Sequence, residues 1–189
     1  MTTAVRVALG AAAAAGLGAG AYLGLVTGTV HVDLGVGVRR RPLGPLSIQV
    51  AASRDIVFDV IAAPYDIRAP RAMQAKVKVL VRGGDMVLAA HYTPIRGRLR
   101  ATTVETVRFT RPERVDFQLV RGPVPHVVET FTLEEAGGGT LLRYDGELGT
   151  DLWNLGNRWG AAVAARWQAV VEEQFAVVKL EAERRAAVS

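Results

Sequence analysis

Four side chains could do chemistry together. Glu105, Arg121, Glu129 and Tyr144 each share strand parity with apolar neighbours: Val107 and Phe109, Phe117 and Leu119, Phe131 and Leu133, Leu142 and Leu148. Alternation of period two sends those partners to one face, so the four polar groups face the same interior. With Phe117 opposite Phe131, Leu119 faces Glu129 and Arg121 lies diagonal to it. Pairing Glu105 with Leu119 brings Glu105 diagonal to Arg121, and Tyr144 stands beside Glu129. A buried charge needs a partner, so Arg121 is expected to bridge at least one glutamate. Two chemistries follow. A closed ion network needs no ligand, whereas two carboxylates sharing one guanidinium leave an acid and a phenol to orient a ligand's polar end. Glu129 or Glu105 as a catalytic base is opposed by Arg121, which lowers a carboxyl pKa that burial raises.

Other reactive types are sparse. There is no cysteine, so thiol nucleophiles, disulfides and thiolate ligands are absent. His31, His91 and His126 fall in linker, strand and turn without metal-ligand spacing, and the three serines make no nucleophile elbow. No metal and no cofactor is expected. The pI near 10.1 suggests nucleic acid. Of 23 basic and 18 acidic groups, however, Arg6, Arg39–Arg41 and Asp33 precede residue 44, which leaves 19 and 17 beyond it. That balance speaks against a nucleic-acid partner.

The elements that position these residues are legible from punctuation. Strands are expected near 46–51, 76–82, 86–94, 98–109, 114–121, 126–135 and 140–148. Gly83-Gly84, Pro94 to Gly97, Arg111-Pro112, Gly122 to Pro125 and Gly137 to Gly139 separate the last six. Short connections make neighbours antiparallel. Ser53 caps a short helix that Pro64 ends, and a second short helix covers 66–75. From Asp151 to about Arg185 runs one long helix, with Thr150 or Asp151 as its cap. Its stripe of Trp159, Val163, Trp167, Val170, Val171, Phe175 and Val178 must pack across the sheet. The predicted class is α+β, a helix-grip fold of about seven curved antiparallel strands around the C-terminal helix.

Ahead of this domain, Val7–Val30 is 24 residues without a charge, 14 of them Ala or Gly. As a helix it would span ~36 Å against ~30 Å of bilayer core. Residues 1–30 are therefore expected to be a transmembrane anchor, with a signal segment cleaved near Ala19-Gly20-Ala21 as the alternative. Residues 31–43 are a basic linker and 44–185 the folded domain. Arg39–Arg41 outweigh Arg6, which puts that domain in the cytoplasm. Gly16, Gly20, Gly24 and Gly28 form a stripe on which two helices could pair as a homodimer. Arg96, Arg98 and Arg100 make an outward basic strip suited to solvent or to anionic headgroups.

"VFDVIAAPY", "TVETVRF", "VDFQLVRGPVPHVVETFTLE" and "GTDLWNLGNRWGAAVAARW" resemble the SRPBCC/START-like superfamily of polyketide cyclase/dehydrase and lipid-transport type, over residues 44–184. The resemblance implies a cavity for a hydrophobic molecule or lipid. It would be lined by Glu105, Phe117, Leu119, Arg121, Glu129, Phe131 and Tyr144 from the sheet and Trp159, Val163 and Trp167 from the helix. The expected function is a membrane-tethered binding protein; the alternative is a cyclase or dehydratase acting on a polyketide-like substrate. An interaction domain with a merely packed interior is the third reading.

Overall fold

The computed structural model describes residues 19–188, except the side chain of Arg96. Seven strands form one antiparallel sheet: β1 (Arg39–Val50), β2 (Val77–Arg82), β3 (Met86–Arg96), β4 (Leu99–Thr110), β5 (Arg114–Arg121), β6 (His126–Ala136) and β7 (Gly139–Thr150). Their order is β1-β7-β6-β5-β4-β3-β2, so every pair except β1·β7 joins chain neighbours through a short turn. Between β1 and β2 lie α1 (Arg54–Ala62), a 3-10 turn (Ala63–Tyr65) and the four-residue α2 (Arg71–Gln74). The chain closes with α3 (Trp153–Ala186), 34 residues. The helix-grip class read from the sequence is the class observed.

α3 packs chiefly on β1, β7 and α1. There Phe131 meets Tyr144 and Phe175 edge-on, at ring separations of 5.6 and 5.5 Å. Such geometry puts ring edges against ring faces and adds to the area buried. Trp159, Val163 and Trp167 are partly exposed and pack against the core from the first half of α3. The site lies where Trp167 meets the sheet.

Three local expectations differ from the structure. The strand expected from Leu46 begins at Arg39, so Arg39–Leu43 of the supposed linker already pair with Thr150–Gly146. Neither Thr150 nor Asp151 caps α3. Leu152 takes that place with a left-handed φ of 65°, and Asp151 Oδ2 instead accepts the Leu34 and Gly35 amides at 2.5 and 3.1 Å. The third difference concerns the anchor. Residues 1–18 lie outside the described residues; residues 19–26 are helical, and the chain then turns at Thr27-Gly28. No helix among the described residues is long and apolar enough to cross a membrane. Residues 7–18 of the expected span lie outside the described residues; its described part ends at Val26, and Gly28 turns the chain at φ +71° close against the Thr102 carbonyl.

The glycine stripe breaks for the same reason. Gly16 is outside the described residues, Gly24 is covered by Val30, and Gly28 sits in the turn; only Gly20 is open. Beyond the turn the chain forms a strap across one end of the sheet. Thr27 O accepts from Thr102 N at 3.0 Å, and Val36 O and Gly37 O take the Leu152 and Trp153 amides, each at 2.9 Å.

Candidate functional site

Glu129 is the centre of the buried polar group. It is 7% exposed, and its Oε1 accepts two hydrogen bonds of 2.6 Å, from the Tyr144 hydroxyl and from Trp167 Nε1. β6 and β7 supply the first two residues and α3 brings the indole across, so this one oxygen ties sheet to helix. Burial, followed by the charge of Glu105, pushes the Glu129 carboxyl up to about 8; the two hydrogen bonds pull against that rise. Desolvation dominates because nothing cationic enters. With two donors already on Oε1, the proton of the neutral acid would sit on Oε2. Burial also holds the Tyr144 phenol far above its ordinary range, with the Glu129 charge next, so it stays a donor.

Glu105 stands on β4 between Ala89 of β3 and Leu119 of β5. Its Oε1 accepts from Thr103 Oγ1 at 2.5 Å, and its Oε2 lies 3.2 Å from His91 Nδ1. That approach lacks hydrogen-bond alignment, which leaves Nδ1 a buried nitrogen without a hydrogen-bond partner. The other imidazole nitrogen meets the Tyr65 hydroxyl at 2.9 Å. Burial raises the Tyr65 pKa well above its ordinary value, and the charges of Glu105 and then Glu129 add to that. Two carboxyls, an imidazole and two phenols thus face one interior. An acid titrating near neutrality is the kind of group that can donate a hydrogen bond or pass a proton.

The sequence-expected site is partly assembled. Glu105, Leu119, Phe131 and Tyr144 are buried, with Phe117 half-buried, and the Tyr144–Glu129 contact and the Glu105·Leu119 pairing form. Phe117 pairs with Glu129 and Val115 with Phe131, two residues off the expected register. A shift of two keeps every side chain on its face, and the Phe117 and Phe131 rings still lie 5.1 Å apart. Trp167 reaches Glu129, Val163 packs half-buried against the core, and Trp159 turns to the β5–β6 connection, donating to Pro123 O at 2.8 Å.

Arg121 is the correction. It is exposed and donates to Thr29 O at 2.7 Å, in contact with neither glutamate. The register of β4 shifts between Val104 and Glu105, so Arg121 pairs with Val104, and the β5·β6 ladder ends earlier, at Gln118·Val128. Past the ladder's end the strand is free to turn the guanidinium outward, which avoids the desolvation cost that an interior arginine would meet.

His91 and Tyr65 were missed. His91 alternates with Val87 and Ala89, both buried, and that parity was its signal; the absence of metal spacing drew attention away from it. No group of residues suited to a metal ion occurs among the described residues. The larger surface depression, about 330 Å³, lies remote from these carboxyls, against Ile56, Asp59, Arg184, Arg185 and Val188. A smaller one of about 220 Å³ lies under the strap, beside Thr102, Val104 and Arg121.

A search of curated proteins finds no match. Among solved structures, the aromatase/cyclase Zhui from Streptomyces sp. R1128 aligns with a TM-score of 0.55 at 16% identity, over 78% of this chain and 95% of that one. The di-domain ARO/CYC proteins StfQ, of the steffimycin biosynthetic pathway, and BexL, of the BE-7585A pathway, align with TM-scores of 0.62 and 0.55, each at 15% identity over 79% of this chain. The chain spans about half the length of those two, 52% and 50%. Likeness at such identity is one of fold. The model of the family described as polyketide cyclase / dehydrase and lipid transport matches residues 46–183. The chain belongs to that family, within the SRPBCC/START-like superfamily.

Proposed function

We propose that the protein binds a hydrophobic small molecule or lipid beside Glu129, between α3 and the sheet. Protonated Glu129 donates a hydrogen bond to an oxygen of that molecule. One observation carries this: a buried carboxyl, pushed up to about 8 by burial, whose Oε1 is already held by Tyr144 and Trp167. Its proton is thereby fixed on the other oxygen, and a donor in a dry apolar setting favours a carbonyl or hydroxyl over water. Half-buried Phe117, Val163 and Trp167 supply apolar wall.

Native mass spectrometry with solvent extraction tests the reading. Wild-type protein should carry an extractable hydrophobic molecule, and Glu129→Leu should lose most of it while Glu129→Gln, which keeps shape and a donor, retains it. Equal cargo in all three would contradict the reading.

The second reading, a cyclase or dehydratase on a polyketide-like substrate, is favoured by the unpartnered His91 Nδ1 beside Glu105 and by the pKa of Glu129. Glutamine at 129 separates the two, since it can hold a carbonyl but cannot transfer a proton. Binding kept with turnover lost marks the enzyme.

Tethering through residues 1–30, with the domain in the cytoplasm, belongs to the same proposal. It rests on the uncharged stretch Val7–Val30 and on Arg39–Arg41 outweighing Arg6. Removal of residues 1–18 should shift the protein from the membrane pellet to the supernatant. A mature N-terminus near Tyr22 would overturn it.

A further inference from the structure

Basic and apolar side chains without partners gather at one end of the sheet. The register places the β3–β4 turn, the end of β5, the start of β1, the end of β7 and the start of α3 together there. Arg39, Arg98, Arg100 and Arg158 are exposed at this end, and none meets a carboxylate among the described residues. Several arginines elsewhere are neutralised, Arg111 by Asp55 and Asp59, Arg108 by Asp85, Arg143 by Glu134 and Arg184 by Glu181, whereas Arg68, Arg71 and Arg82 also stand exposed without a carboxylate among the described residues. The acids at the basic end are nearly all engaged, with Glu147 on Arg40 and His126 and Asp151 on two strap amides. Asp33 alone stands exposed against the four arginines.

Among these cations stand large apolar side chains. Leu155 is 72% exposed, Leu34 58% and Trp153 57%, with Val38 and Leu99 also outward. Trp153 is held in that place. Its ring covers Gly37, its amide binds Gly37 O, and its φ of 48° is left-handed. An L-residue adopts that conformation only when its surroundings impose it. The helical residues 19–26 lie at this same end, where Tyr22 packs edge-on against Trp159 at 6.1 Å.

We propose that this end of the molecule is a docking surface for an anionic lipid bilayer. Arg39, Arg98, Arg100 and Arg158 meet headgroup phosphates and carboxylates, while Trp153 and Leu155 enter the interface. A tryptophan fits there because its ring buries apolar area at headgroup depth while its N–H stays wet. Arginines without protein partners give the attraction that a neutral surface would not satisfy. The inference deepens the tethered reading above, and its test tells the two apart.

The full chain is mixed with vesicles of phosphatidylcholine, alone or with one part in three phosphatidylserine, carrying brominated acyl chains that quench tryptophan. The difference between wild type and Trp153→Phe isolates Trp153. Its quenching should appear on the anionic vesicles and fall at least about fivefold in R39Q/R98Q/R100Q/R158Q, each basic residue near such a surface adding severalfold to the attraction. Sedimentation of the same samples reads the tether. A chain that pellets with neutral vesicles while Trp153 stays unquenched on both kinds keeps the tether and overturns the docking surface. A chain that pellets only with anionic vesicles and is quenched there supports docking and overturns the tether. Equal quenching on neutral vesicles, or in the fourfold variant, would overturn the charge-led contact, and absence of any vesicle effect would leave the surface to a protein partner and overturn it as well.

Discussion

At Glu129, apolar burial outweighs two hydrogen bonds. Because its carboxyl is raised from 4.5 to about 8, the folded state holds a proton that the unfolded chain gives up between those values. The unfolded state binds fewer protons throughout that window, so stability falls as pH rises. The contribution is fully present below pH ~4.5 and lost as pH passes ~8, on the order of a few kcal/mol. Thermal unfolding between pH 5 and 8.5 should show a falling Tm in wild type and a flatter profile in Glu129→Gln; parallel profiles would mean that Glu129 titrates as an ordinary carboxyl. Tyr144→Phe removes a donor from the same oxygen and should cost about 1–3 kcal/mol in denaturant unfolding. Arg121 gives the opposite expectation. An exposed guanidinium on one backbone carbonyl is worth little, so Arg121→Met should change stability by less than about 1 kcal/mol, against ~3–5 for a partner lost from a buried ion pair. The parity of Glu105, Glu129 and Tyr144 was legible in the sequence because each sits among alternating apolar residues. The outward turn of Arg121 was not, since the register shift at Val104/Glu105 carries no glycine or proline to mark it.

At the scale of elements, punctuation did most of the work. The boundaries of β2–β7 fall within about two residues of those expected, because Gly and Pro stand at nearly every turn. α3 was legible from its apolar stripe, yet its start was not. Thr150 and Asp151 are good capping residues, and the strap diverted Asp151 to other amides. The strap itself was read as anchor and linker because its contacts are backbone hydrogen bonds, which leave no periodic side-chain signal. Its hold depends on Gly28. A β-carbon there would lie 2.1 Å from the Thr102 carbonyl oxygen, at a φ that alanine resists. Gly28→Ala should loosen residues 19–38, seen as faster amide exchange and proteolytic nicking in that segment while β5–β7 keep their protection. Uniformly faster exchange would instead make the strap part of the global folding unit.

Over the whole molecule, α3 packs chiefly on β1, β7 and α1. Glu129 joins the two layers, held to the helix by Trp167 and to the sheet by Tyr144. A hydrophobic molecule bound beside it would therefore meet a hydrogen-bond donor whose presence depends on pH. The most direct test is the affinity of a hydrophobic naphthyl ketone fluorophore, measured from pH 6 to 9.5 for wild type and Glu129→Gln. Wild-type affinity should hold until about pH 8 and then weaken by roughly tenfold per unit as the donor ionises, while the glutamine variant stays level. Wild-type affinity that is unchanged across the range, or that falls equally in both proteins, would contradict a ligand held by the protonated carboxyl of Glu129.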